Sequence, residues 1–288
     1  MGFSMRLRYP NGLAKALTLS YDDGVVEDIR LIEIMNRHGL KGTFNLNSLH
    51  YLEVNYTRRA DRTYGWKLTR DEAIDVYGNS GQEVALHAHT HPFLETLPPA
   101  QVAYEIIKNR EVLEEMFGTI IDGMAYPFGT FSDAVVDILK NCGVLYSRTC
   151  VSTRRFDLPV DWLRMPATCH HTYPDTMELA DAFLNKEIKS RPELFYLWGH
   201  SYEFDADRNW DVIERFCDRM AGHEDIWYAT NIEIYEYIDA SRRLVSSCDG
   251  RLLYNPSATD VWVTKNGSLW APGEKLCIPA GKIIDCGE

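Results

Sequence analysis

Three histidines at alternate positions, His87, His89 and His91, close the run "QEVALHAHTHPF" (residues 82–93), and two adjacent aspartates, Asp22 and Asp23, close an earlier one, "AKALTLSYDDG". Imidazole nitrogens and carboxylate oxygens are donors for divalent metals, and paired carboxylates at one strand end repel each other unless a cation offsets them. A two-histidine, one-carboxylate set leaves positions open for a water whose pKa falls toward ~7. The second aspartate, pointing the other way, could take that water's proton. His200, at the end of "ELFYLWGH", could protonate a leaving group. Lewis acid, base and acid together make a hydrolysis site. Spacing alone does not choose the histidine pair: a turn puts His87 and His91 on one side, whereas an extended chain puts all three on one face. Asp-Gly alone would read as a turn, and either histidine singly as a hydrogen-bonded structural residue. Three histidines beside a strand end favour an ion.

Such groups must be held by elements, and the chain supplies them in alternation. "AKALTLSY" (14–21), "KGTFNLN" (41–47), "QEVALHA" (82–88), "IDGMAYPFG" (121–129) and "VLYSRT" (144–149) read as strands, as do the later "DWLRMPAT", "ELFYLWGH" and "IWYAT". Between them lie amphipathic stretches, among them residues 26–39, a helix capped by Thr69, and a long helix from about Pro98 to Phe117. Repeated strand–helix alternation predicts parallel strands, here a distorted or incomplete (β/α) barrel of about seven strands. In such folds the chemistry sits at the C-terminal ends of strands, where Asp22–Asp23, His87–His91, the "AYPFG" turn and His200 all fall. Residues 1–244 are read as the barrel and 245–288, turn-rich with short alternating runs, as a small β-rich C-terminal extension.

The 288 residues, 45% hydrophobic, suffice for a large core. A formal charge of -12 argues against nucleic acid or an anionic membrane as partner and favours a neutral or cationic substrate. No apolar run has signal-peptide or membrane-spanning character. The seven scattered cysteines form no CxxC pair, so free thiols and a cytoplasmic setting are expected. A homo-oligomer is compatible with all of this.

"LSYDDG", "HAHTH", "AYPFG" and "YLWGH", in this order, resemble the motifs of the polysaccharide deacetylase (NodB-homology, carbohydrate esterase) family over roughly residues 14–235. The resemblance implies removal of acetyl groups from N-acetylated, sometimes O-acetylated, sugars with Zn or another divalent metal such as Co or Ni. It implies Asp22 as general base, Asp23, His87 and His91 as metal ligands, His200 as general acid, and the Phe128 backbone N–H as a donor to the oxyanion. One departure stands out: Ala125 occupies the place where the family usually has an arginine that orients the base. Arg164, at the end of "DWLRMP", is expected to supply that charge, with Trp162 beside it as a wall of the acyl pocket. Tyr126 and Pro127 from the "AYPFG" turn, and Trp198 and Tyr202 flanking His200, are expected at the substrate. Ordinary core or half-buried roles would also suit these aromatics. His170 and His171, adjacent on an extended chain, should point to opposite faces and so not share one ion. "SYEFDADRNWD" (201–211) reads as a rim loop, with Asn209 or Asp207 capping the next helix and Glu203 or Asp205 free to contact ligand. Two rivals keep the fold and change the outcome: hydrolysis of non-sugar cyclic amides, or a carbohydrate-binding protein that has lost catalysis.

Overall fold

The computed structural model describes residues 5–53, 63–188, 190–265 and 273–286. After a short strand β1 (Arg6–Arg8), the chain enters β2 (Lys15–Asp22), buried at every position. Such burial needs neighbours on both edges and layers on both faces. Parallel partners β3 (Gly42–Leu46) and β9 (Glu193–Gly199) flank β2, and β10 (Ile226–Tyr228) pairs with its first residues. Beyond β3 the sheet continues through β4 (Glu83–Leu86), β5 (Gly123–Ala125), β6 (Tyr146–Ser152) and β7 (Met165–Ala167), while β8 (Cys169–His170) lies outside β9. The two edges of this sheet, β7 and β8, are consecutive pieces of chain separated by Thr168. The sheet therefore curls almost into a ring, the incomplete parallel barrel expected, without an unbroken ladder closing it.

Helices α1 (Glu27–Arg37), α2 (Arg70–Gly78), α3 (Pro99–Phe117), α4 (Asp133–Asn141) and α5 (Thr176–Asn185) follow the first barrel strands, and α6 (Tyr202–Ala206), α7 (Asp211–Met220) and α8 (Asn231–Arg242) follow the last. Local sequence starts several of them. Thr69 and Thr230 form capping boxes with Glu72 and Glu233, and the Ser132 hydroxyl accepts from Val135 N. Helix α7 buries Ile213, Phe216, Cys217 and Met220 against the barrel, about 1.5–3 kcal/mol for each large apolar side chain.

The sequence reading needs three corrections. "DWLRMPAT" is a 3₁₀ turn, Trp162–Arg164, with strand only from Met165, because the Asp161 carboxylate accepts from Leu163 N and bends the chain. The stretch expected as a rim loop contains helix α6. Helix α7 starts from Trp210 without a side-chain cap, so neither Asn209 nor Asp207 serves as one. The C-terminal strands make two small sheets, β1–β13–β14 with β13 (Val261–Lys265) and β14 (Glu274–Ile278), and β11–β12–β15 with β11 (Val245–Ser246), β12 (Leu252–Tyr254) and β15 (Ile283–Asp285). Arg6–Arg8, read with the barrel, thus pairs antiparallel with the C-terminal extension. Tyr237 on α8 fastens both, its hydroxyl donating to Arg8 O and accepting from Trp262 N.

Candidate active site

Beyond β4 the backbone leaves the extended region: Ala88 and His91 both have φ of 58°. These turns decide which histidines pair. The His87 and His91 rings meet at 4.8 Å between centroids, while His89 turns away to within 2.8 Å of Ser48 Oγ. Asp23, at φ 88°, is turned out of β2 in the same way, so Asp22 and Asp23 diverge. Asp23, His87 and His91 bring one donor atom each to within 4.8 Å of one another. Among the described non-glycine residues with positive φ, four (Asp23, Ala88, His91 and Phe128) belong to this site. Each costs of order 1 kcal/mol, which the surrounding structure must offset.

The donor set fits a divalent ion by its chemistry. His87 is buried, and its Nδ1 lies 2.8 Å from Ala125 O, so that nitrogen carries the proton and Nε2 is left as the free donor. Burial lowers the pKa of His87 to about 4 and also lowers that of His91, so both rings are neutral at pH 7, as ligands must be. Burial pushes the Asp23 carboxyl up, but Lys67 and the nearby histidines outweigh it and hold it ionised. Lys67 Nζ donates to Asp23 Oδ1 at 3.0 Å and to Asn47 Oδ1 at 3.3 Å.

Asp22 points into the barrel and is 3% exposed. Its Oδ1 accepts from Asn45 Nδ2 at 2.9 Å, and its Oδ2 accepts from the Arg148 guanidinium. Arg148, 1% exposed, also lies 4.4 Å above the Trp198 ring. Burial raises the Asp22 pKa, yet Arg148, with His87 and His200, brings it below the ordinary carboxylate value. His87 Nε2 and His200 Nε2 each stand 3.9 Å from Asp22 Oδ2. For His200, burial disfavours the charged ring, but Glu203 and Asp22 more than compensate, so its pKa is raised.

Arg164 is not the arginine of Asp22. It is one-third exposed and bound to Asp133 and Asp161 at the surface, because the 3₁₀ turn carries it away from the barrel axis. Arg148 takes that place from β6, on the rung directly paired with Ala125. The signal for it was the only charged residue of the strand "VLYSRT", an arginine, a residue type almost never fully buried unless paired. Trp162 is likewise corrected: it is buried in a second core cluster against Tyr235. Tyr126 is buried with its hydroxyl donating to Leu163 O, and Pro127 is buried beneath it, so neither reaches a substrate. Trp198 packs on Arg148 and His170.

Tyr202 does line an open cavity of about 490 Å³, together with Asp23, Val25, Tyr64, Gly65 and Lys67, and its ring stacks with Tyr64. Across His91, the exposed Phe128 stacks on Phe93 at 3.8 Å. His170 and His171 do not diverge as expected. The chain bends after β8, and both rings face the Glu203 carboxylate. Asp205 instead accepts from Trp210 Nε1.

Residues 10–147 match the polysaccharide deacetylase family model. This stretch, just under half of the chain, is similar to a polysaccharide deacetylase domain. The match spans the two aspartates, the three histidines and the Tyr126–Gly129 turn, and stops just short of Arg148. The uncharacterized protein YlxY of Bacillus subtilis (strain 168) is 28% identical over 109 residues, 38% of this chain but only 29% of YlxY. A Mycobacterium smegmatis protein described as a polysaccharide deacetylase superposes with a TM-score of 0.60 at 18% identity, covering 82% of this chain and 94% of that one. The family 4 carbohydrate esterase of Streptomyces lividans, solved with acetate, gives 0.51 at 14% identity, covering 75% and 93%. At such identities the deacetylase likeness in three dimensions is one of fold.

Proposed function

We propose that the protein is a metal-dependent hydrolase that removes acetyl groups from N-acetylated or O-acetylated saccharides. The observation that carries this reading is the convergence of Asp23, His87 and His91 within 4.8 Å, beside an Asp22 held ionised and next to His200. Asp23, His87 and His91 would hold the ion, which supplies Lewis acidity toward the acyl oxygen and the attacking water. Asp22, buried and directed between His87 and His200, receives the proton of that water. His200, whose raised pKa favours the protonated ring, delivers a proton to the departing nitrogen or oxygen. The Phe128 backbone N–H, in the strained turn beside His91, is assigned the developing oxyanion. The pairs Tyr64–Tyr202 and Phe93–Phe128 offer flat apolar faces to a sugar ring.

The test joins elemental analysis with acetate release from acetylated oligosaccharides. About one ion per chain, absent from Asp23→Ala and His87→Ala, with acetate release that follows ion content, supports the reading. No uptake of Zn²⁺, Co²⁺ or Ni²⁺ would sink it and leave a carbohydrate-binding protein.

A further inference from the structure

Glu203 lies outside the aspartate–histidine set just described, yet three imidazoles converge on one of its oxygens. His171 Nε2 stands 3.1 Å from Glu203 Oε2, His170 Nε2 3.3 Å and His200 Nδ1 3.5 Å. Charge-assisted hydrogen bonds are shorter, about 2.7–2.9 Å. Donor atoms arranged tetrahedrally around one ion, each ~2.0–2.1 Å from it, stand roughly 3.3 Å from one another. The distances from Glu203 to the rings fall near that value, and His170, His200 and Glu203 bring one donor atom each to within 4.8 Å of one another. His171 stands beside this set: it is 2% exposed, its Nε2 faces the Glu203 carboxylate, and its Nδ1 has no hydrogen-bond partner among the described residues. Its ring is clamped between Tyr21 and Phe204, and Gly199 leaves it room, since a Cβ there would fall 2.0 Å from His171 Nδ1.

We propose that His170, His200 and Glu203 form a second divalent-cation site, walled by His171, whose occupation withdraws His200 from the reaction. Two imidazoles and one carboxylate select a borderline ion such as Zn²⁺ or Co²⁺ over Mg²⁺ or Ca²⁺, which demand mostly oxygen donors. On binding, the cation takes the place of the proton on His200 Nδ1, and that proton passes to solvent. The ring then keeps a proton only on Nε2, facing Asp22, and as a neutral metal-bound imidazole it no longer donates one. The enzyme would thus need one ion and be inhibited by a second. The inhibitory half rests on the acid role proposed for His200; the site itself does not.

The experiment is zinc titration of metal-stripped protein, followed by equilibrium dialysis and elemental analysis, for wild type, Asp23→Ala/His91→Ala, and that double variant carrying His170→Gln as well. Circular dichroism verifies the fold of each, and Glu203→Gln replaces His170→Gln should the triple variant not fold. About two ions in wild type, one in the double variant and none in the third are expected. No ion in the folded double variant, or one that survives in the third, overturns the site. In parallel, Zn²⁺ beyond the first equivalent should lower wild-type acetate release at least 10-fold and leave His170→Gln alone near its starting rate. Equal inhibition of both overturns the regulatory half. A chain that binds two ions but turns over no acetylated substrate would count against the deacetylase reading while leaving this site standing.

Discussion

Replacing Arg148 by Met should damage both the fold and the reaction through a single partner, Asp22. Both members of the pair are almost wholly buried, and the guanidinium meets Asp22 Oδ2 while Asn45 Nδ2 holds the other oxygen. Removing one partner of a buried ion pair leaves an uncompensated charge, at a cost of about 3–5 kcal/mol. The Asn45 hydrogen bond remains, so the lower end, ~3 kcal/mol, is expected. Burial, the largest influence on Asp22, is then opposed only by the histidines, and the carboxyl moves toward its protonated, non-basic form. Turnover should fall by roughly 10²-fold, as expected for a displaced catalytic group. Urea unfolding and acetate release are measured on Arg148→Met, Asp22→Asn and the double variant. The double variant should be little less stable than Asp22→Asn alone, giving a coupling of about 2–3 kcal/mol. Arg164→Ala, which loses exposed ion pairs, should leave both stability and turnover close to wild type. Additive stabilities, or full turnover in Arg148→Met, would refute the reasoning.

Asp28 is buried, with Tyr77 Oη and Ser201 Oγ donating at 2.5 Å each, and burial raises its pKa from 3.8 to about 7. The folded state therefore keeps a proton that the unfolded chain releases, and this group's contribution is greatest below about pH 4 and declines as pH climbs to about 7, by at most ~4 kcal/mol. Between pH 5 and 7.5 the urea midpoint of wild type should fall further than that of Asp28→Asn; parallel profiles would show that Asp28 ionises normally. Gly199→Ala would drive a methyl into His171, so it should cost about 1–3 kcal/mol in thermal or urea unfolding, and His171→Ser should recover much of the loss. Phe93→Ala removes the ring beneath Phe128 and should raise KM for acetylated oligosaccharides several-fold with kcat nearly unchanged; an unchanged KM would exclude that face from sugar binding.

The residues that were legible in the sequence share one property: Asp22, Asp23, His87 and His200 each end a β-strand, where parallel topology dictates the functional rim. Their placement on one rim could be read from position alone. Arg148 could not, because it acts across the barrel: β3, β4 and β5 lie between its strand and that of Asp22, and only curvature brings the two together. The choice of His91 over His89 was equally closed to spacing arguments, since it depends on left-handed turns at Ala88 and His91, residue types that give no hint of them. Alternation misled at His170 and His171, where β8 lasts two residues before the chain bends. Glu203 was read as a ligand contact, but its meeting with three histidines was not legible, because its orientation follows from a five-residue helix that carries no strong periodic pattern.

The pairing of Arg6–Arg8 with Val261–Lys265 also imposes an order in time. Synthesis at ~5–20 residues per second separates the emergence of these strands by roughly 10–50 s. During that interval β2 and its parallel neighbours can assemble, one crossover after another, while the first strand waits with its backbone groups exposed to water. The β1–β13–β14 sheet can form only after Glu274–Ile278 has been made. It joins residues made far apart in time, so that a nascent chain stalled before residue 261 would carry a barrel beside which Arg6–Arg8 is still a free, pairing-competent edge.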